Sequence, residues 1–340
     1  MFDEIVAKDF IDIIKNTKLN KIKNKRILVL GGNSFIGNYL QAVLSQINCK
    51  IVSVSLNKPK GIIKGIKKNF KFIRIDLNDE KKTKKILKNK FDYIFHLATY
   101  GQPKKWKQNE LSTINLNINL LKNVLDHSVK YKSRILYMSS AAVYKLPKKK
   151  CLIEENSKLS IGSFESEIVY ANSKIIGEQL CRIYKEKFNI PVYVVRPAHT
   201  YGPGQDFKDP RIIPQLIKRA FVNKNIFLFD EGKSIRTWGY ISDITVMLLN
   251  IIQFGKSSIY NVSGNDHKSI MQVAKIISKF FDNKKIVLKK KKLNYVNIKP
   301  SVLKISSKKY HLEFKNKFKT NFIDGISKTI YWNNIWQKLN

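Results

Sequence analysis

Arg26-Ile27-Leu28-Val29-Leu30-Gly31-Gly32-Asn33-Ser34-Phe35-Ile36-Gly37 decides how this chain folds. An apolar run of strand length ends at once in a glycine turn, and Tyr39, Leu40, Val43 and Leu44 then follow at helical spacing. Strand, glycine turn and helix form the context in which such a motif holds a dinucleotide. Gly31 allows the tight turn, and Gly37 lets the helix pack close to the sheet. Asn33, Ser34, Phe35 and Ile36 stand at the helix start, where free amides and the positive end of the dipole favour a pyrophosphate. Ser34 takes the place of the middle glycine of G-x-x-G-x-x-G; its Cβ narrows the approach, and its hydroxyl offers a phosphate bond of its own.

Outward from this motif, the next strand, Lys50 to Val54, ends in Ser55-Leu56-Asn57-Lys58. An acidic residue there would bond a ribose hydroxyl and favour NAD. None is present, and Lys58 or Lys60 offers charge to the extra phosphate of NADP, so NAD is expected with NADP left open. From Lys25 to about Val195 short β-branched runs alternate with helical patterns, ending with Ile190-Pro191-Val192-Tyr193-Val194-Val195. This predicts an α/β fold, a doubly wound parallel sheet of Rossmann type over 25–195. Beyond it the pattern is irregular and richer in Gly and Pro, which predicts a smaller substrate lobe over 196–340. Ahead of it, residues 1–24 carry Phe2, Ile5, Val6, Phe10, Ile13 and Ile14 near helical spacing, an amphipathic helix docked on the body. A membrane-surface role for it is opposed by Asp3, Glu4, Asp9 and Asp12, which repel anionic lipid.

A second signal is independent of the first. Tyr170 and Lys174 stand four apart in Y-A-N-S-K, and Ser139-Ser140 lie upstream in M-S-S-A-A-V-Y. On a helix such a pair shares one face, so a phenol and an ammonium would point into one site. A cation can make a base of a weak acid; bringing a tyrosine from a pKa of about 10 to the working pH takes roughly 4 kcal/mol. A serine hydroxyl bonded to the same substrate oxygen could relay the proton. Alone, the pair is also what any amphipathic helix of a lysine-rich chain can carry; the glycine motif gives it weight.

Together these motifs resemble the extended short-chain dehydrogenases/reductases, in the NAD-dependent nucleotide-sugar epimerase/dehydratase family. The likeness runs from about Lys25 to the C-terminus. Phe72-Ile73-Arg74-Ile75-Asp76-Leu77 resembles the segment whose Asp-Leu borders the adenine, and Phe95-His96-Leu97-Ala98-Thr99 the strand end along the cofactor. Asn115 and Asn119-Leu120-Leu121 match the helix that follows. Arg196-Pro197-Ala198-His199-Thr200-Tyr201-Gly202-Pro203-Gly204 resembles R-P-x-N-x-Y-G-P, and Arg236-Thr237-Trp238-Gly239-Tyr240-Ile241-Ser242-Asp243 resembles R-D-x-x-Y-V-x-D. Tyr260-Asn261-Val262-Ser263-Gly264 and Asp324-Gly325-Ile326, Thr329-Ile330 and Trp332 also fit.

The resemblance implies that Ser140, Tyr170 and Lys174 are catalytic, Ser140 rather than Ser139 because it lies four before Tyr144. It implies cofactor contacts at Gly31, Asn33, Ser34, Phe35, Ile36, Gly37, Asp76, Leu77, Leu97, Ala98, Thr99, Asn115 and Lys174, and substrate contacts at Ser140, His199 and Arg236. It places 240–262 partly back in the first lobe, and it implies a homodimer through helices around Asn115–Val129 and Tyr170–Lys185. Departures narrow the chemistry. Ser140-Ala141-Ala142-Val143-Tyr144 stands where 4,6-dehydratases resemble T-D-E-V-Y, so the carboxylates for eliminating water are missing. His199 replaces the usual asparagine and is read as a neutral hydrogen-bond donor; Lys304 stands where an acidic residue is common. The expected activity is 4-epimerisation of a nucleotide sugar for surface-polysaccharide precursors, with 4-keto-sugar reduction as the alternative. A non-catalytic dinucleotide sensor or RNA-binding protein on the same scaffold is a second alternative, disfavoured because it has no need of the triad.

Composition sets further bounds. Lys+Arg 64 against Asp+Glu 25 gives a formal charge of +39, the kind of field that attracts polyanions. Only eight of those cations are arginine, and the lysines are spread, with short runs at Lys81–Lys85, Lys148–Lys150 and Lys289–Lys292. Specific nucleic-acid binding, which favours bidentate arginine, is therefore not expected, while an anionic sugar nucleotide would be attracted. Cys49, Cys151 and Cys181 are odd in number and far apart, and the five histidines form no H-E-x-x-H. Reduced thiols in the cytoplasm and no metal site are expected. No run reaches the length of a membrane span, and Met1-Phe2-Asp3-Glu4 lacks the positive start of a secretory signal.

Overall fold

The computed structural model describes residues 4–59, 61–66, 68–147, 151–162, 168–205, 207–289 and 300–339. Phe2, Lys60, the run 148–150 and all but Lys289 of the run 289–292 lie outside them. The strands are β1 Arg26–Leu30, β2 Lys50–Ser55, β3 Phe70–Arg74, β4 Tyr93–His96, β5 Arg134–Met138, β6 Val192–Pro197, β7 His199–Tyr201, β8 Ile226–Leu228, β9 Ile235–Tyr240, β10 Ile259–Val262, β11 Asp266–Ser269, β12 Ile286–Leu288 and β13 Val302–Leu303.

Seven of them form one parallel sheet in the order β10-β6-β5-β4-β1-β2-β3. β1 sits near its middle, and its side chains feed both faces: Ile27 and Val29 join one buried cluster, Leu28 and Leu30 the other. An unbroken apolar strand buried on both sides is what a sheet sandwiched between helices requires. The order reverses between β1 and β4, so the strand ends open a crevice there, where doubly wound sheets bind ligands.

Helix 35–46 follows β1, and helices 120–131 and 169–188 cover the other face. The latter two end on Lys132 and Asn189 in the left-handed conformation, which closes their last turns. Helix 241–254 is buried along its length to Gln253, and β10 after it pairs with β6 at the sheet edge. The small sheet joins β7, β11 and β13 to β9, and β8 pairs with β12.

The N-terminal helix Glu4–Asn16 buries Val6, Asp9, Phe10 and Ile13. Asp9 is thus not one of the outward acids that its position in the sequence implied. Its carboxylate accepts from Tyr39 Oη at 3.2 Å and Tyr240 Oη at 2.6 Å and pairs with Lys328 Nζ at 3.1 Å. Among the described residues no helix is long and apolar enough to cross a membrane.

Candidate active site

Three strand ends build the floor of the crevice. β1 stops at Leu30, and Gly31 turns with φ +80° while its N–H donates to Val54 O at 2.8 Å. A Cβ on Gly31 would stand 2.8 Å from the Ala98 backbone, so glycine is required by both torsion and space. Leu97 and Ala98, buried just past β4, are therefore pressed directly against the glycine turn.

Gly37 serves a different purpose from the one expected. A Cβ there would meet Gly32 O at 2.6 Å and Ser34 Oγ at 2.8 Å, so it makes room for the turn itself rather than for the sheet. Ser34 caps the helix: its Oγ accepts from Gly37 N at 3.1 Å, which uses an acceptor lone pair and leaves the O–H free to donate. Asn33 reaches sideways, its amide donating to Asn57 O and, at 2.9 Å, to Lys58 O. Phe35 is buried under the Arg211 guanidinium, 5.4 Å from the ring centroid, and Ile36 is half-buried.

Along the rim, exposed Asp76 accepts from the Asn78 N–H and side-chain amide, each at 2.9 Å, while Leu77 beside it is buried. Asn115 donates to Asn78 Oδ1 at 3.0 Å and accepts from Asn119 at 2.9 Å, at the head of a π-helical turn, 115–119. Such turns gather at functional sites. The groove fits a dinucleotide on its own evidence. A glycine-walled turn faces a capped helix start, and two buried polar atoms, Asn33 Oδ1 and Thr99 Oγ1, have no partner among the described residues.

The reactive end lies where β5 stops. Ser139 and Ser140 point apart: Ser139 Oγ donates to Glu178 at 2.5 Å, while Ser140 hydrogen-bonds the Tyr170 phenol and caps the turn 141–143. Helix 169–188 brings Tyr170 and Lys174 to one face, both buried, with Lys174 wholly so. Lys174 Nζ donates to Met138 O at 2.6 Å and lies 4.8 Å from the Tyr137 ring centroid and 5.9 Å from that of Tyr170.

The electrostatics differ from the expectation that Lys174 pulls Tyr170 down. Burial raises the Tyr170 pKa above its ordinary value, and the Ser140 bond opposes it. Lys174 is itself lowered to about 7, by burial first, with the Glu178 charge acting the other way. One of its N–H groups is used on a backbone carbonyl, and near neutrality the amine is only partly cationic. His96, buried behind Tyr137, is lowered to about 3 by burial and by Lys174, so it is neutral.

His199 and Arg236 lie on the neighbouring strands β7 and β9. Burial, then Arg236 and Arg211, lowers His199 to about 4; it is a neutral imidazole packed edge-on to Trp238 at 5.3 Å. Arg236 donates to Ser301 O and Oγ, each at 2.8 Å. Arg211, which no sequence motif marks, pairs with Asp209. Two further residues have no motif: Glu178, one helical turn past Lys174, and Trp106, which stacks flat on Tyr170. Glu178 was legible only as the next i+4 position of the same helix face.

The chain is similar to several known proteins. A bifunctional polymyxin resistance protein ArnA from Wigglesworthia glossinidia brevipalpis is 31% identical over 282 residues, 78% of this chain but 42% of that protein. A UDP-N-acetyl-alpha-D-glucosaminuronate decarboxylase from Bacillus cytotoxicus is 28% identical over 74% of this chain and 79% of its own. The chain thus spans about two fifths of the first relative's length, and 61% of a UDP-glucuronic acid decarboxylase 1 from Xenopus tropicalis. The fold matches a UDP-glucose 4-epimerase from Thermotoga maritima with TM-score 0.81 at 20% identity, over 93% of this chain and all of that one. Residues 27–263 match the description of one family from end to end of the sheet, and the chain belongs to it: the NAD dependent epimerase/dehydratase family.

Proposed function

We propose that this enzyme is a nucleotide-sugar 4-epimerase that serves surface-polysaccharide precursor synthesis. The observation that carries the reading is the Tyr170 phenol bonded to Ser140, with Lys174 buried one helical turn away. A nicotinamide dinucleotide, when bound, supplies the hydride acceptor and donor. Gly31, Gly37, Asn33 to Ile36, Asp76, Leu77, Leu97 to Thr99 and Asn115 would hold it, with Lys174 at its nicotinamide ribose. Tyr170 removes the proton of the sugar C4 hydroxyl and later returns it, Ser140 bonds the same oxygen, and His199 and Arg236 hold the sugar and its diphosphate. Ala141 and Ala142 offer neither acid nor base for elimination, which favours epimerisation over dehydration.

One observation favours the second reading, a 4-keto-sugar reductase. Burial holds the Tyr170 proton on, which suits a reaction that begins by donating it. Exposed Leu111, Ile114, Ile176 and Ile183, on the helix 110–114 and on helix 169–188, support a homodimer through that face. The test is to denature the purified protein and identify what it releases. Stoichiometric NAD marks a cofactor recycled within each turnover, as an epimerase needs. An empty protein that binds NADH or NADPH reversibly marks the reductase. Tyr170→Phe should cost several orders of magnitude in turnover with dinucleotide binding intact; full activity in that variant would remove the assignment.

A further inference from the structure

Trp106 is not accounted for by the triad. It sits on a short helix, Pro103–Gln108, among the exposed side chains of Lys104, Lys105 and Lys107. Its indole lies flat on the Tyr170 ring, with centroids 4.4 Å and planes 11° apart. Its Nε1 is buried and has no hydrogen-bond partner among the described residues. An indole N–H taken from water without an acceptor is costly, and in a native site such a group calls for an explanation. The indole covers one face of Tyr170, so a molecule that reaches the Tyr170 hydroxyl arrives beside the indole.

We propose that Trp106 reads the sugar: its Nε1–H donates to an oxygen flanking C4, on C3 or C6, while its ring face fixes the plane of Tyr170. The inference rests on the reading of this protein as a nucleotide-sugar enzyme acting at C4. It makes Trp106 a specificity residue, since a site built around an unpartnered donor rejects a ligand that lacks the acceptor.

Trp106→Phe keeps a stacked ring and deletes the donor. Calorimetric binding to UDP-glucose or dTDP-glucose, whichever the wild type prefers, and to the matching nucleoside diphosphate separates the roles. We expect sugar-nucleotide affinity to fall about tenfold, the effect of one hydrogen bond, with the nucleoside diphosphate unchanged. The wild type should discriminate against either the 3-deoxy or the 6-deoxy sugar, and the variant against neither. Trp106→His, which restores a ring N–H, should recover part of the loss and stands in if Trp106→Phe does not fold. Equal sugar-nucleotide affinity in wild type and Trp106→Phe overturns the inference, as does an equal loss of nucleoside-diphosphate binding. A wild type that binds sugar nucleotides no better than the bare diphosphate instead overturns the functional reading, and this inference with it.

Discussion

The Glu178 carboxylate takes both arms of the Arg196 guanidinium, at 2.8 Å from Nε and 2.5 Å from Nη2, in a place where both side chains are almost wholly buried. Burial works against the Arg196 cation, yet the bonds and charge of Glu178 outweigh it and hold its pKa above the ordinary value. The pair ties three segments together. Glu178 also accepts from Ser139, next to Ser140, and Arg196 donates to Tyr144 Oη at 2.9 Å, which donates to Asn261 at 2.6 Å. Removing one partner leaves a buried charge uncompensated. Glu178→Gln should therefore cost roughly 3–5 kcal/mol, and Glu178→Gln with Arg196→Met markedly less than the single change. Urea unfolding of the four proteins of the cycle measures this; additive costs would show that the pair is not coupled. Through its bond to Ser139 and its charge near Lys174, Glu178 should also affect pH dependence. Its charge raises the Lys174 pKa, so in Glu178→Gln any pH limb due to Lys174 should move to lower pH, which a merely structural loss would not do.

Lys174 gives a second prediction, with a definite sign. Its pKa is lowered by burial to about 7 from an ordinary 10.5. Between those values the unfolded chain binds the proton that the folded one has released, so this group makes stability rise with pH from about 7 to 10.5. Below pH 7 the charged amine is present in both states and its full burial cost falls on the fold. Lys174→Met should therefore raise the thermal midpoint of the cofactor-free protein most at pH 6, with the gain shrinking by pH 9. A lower midpoint at pH 6 would mean that the Met138 bond outweighs the buried charge.

Much of this was written in the sequence because it is local. The turn at Gly31 needs one torsion and one glycine, and Tyr170 and Lys174 share a face because helices repeat every 3.6 residues. What stayed hidden depends on chain segments that meet only in the fold. Trp106 reads as one aromatic in K-K-W-K, and nothing nearby says that it lies on Tyr170, 64 residues on. The direction of the Tyr170 shift is hidden for the same reason. Spacing places a cation on the same face, but it cannot show that the amine turns to Met138 O or that burial takes the larger share. Asp9 reads as a solvated acid on a polar face; only the fold sets Tyr39, Tyr240 and Lys328 around it.

The N-terminal helix should be a structural part of the fold. Phe10 is buried and packs edge-on against Tyr39 of helix 35–46, 5.5 Å between centroids. Phe10→Ala should cost about 3–5 kcal/mol, the range for a large aromatic truncated in a packed core. Because that helix begins at the glycine motif, dinucleotide affinity should weaken as well, measured by calorimetry at a temperature where the variant stays folded. A change below 1 kcal/mol would mean that the helix is only loosely docked.

Gly31→Ala tests the floor of the groove. The new Cβ meets the Ala98 backbone at 2.8 Å, and alanine at φ +80° is strained whatever the space. The neighbour is main chain at a strand end, which cannot swing aside as a side chain can, so the turn itself must shift. Strain of about 1–3 kcal/mol from the torsion alone should appear as lost stability, and dinucleotide affinity should fall at least tenfold. Gly101→Ala is the matched control, because no atom stands within 4 Å of its added Cβ; it should leave both quantities within error. Calorimetric titration of the two variants with NAD, beside their thermal midpoints, decides it: equal affinities would mean that the glycine turn does not border the bound dinucleotide.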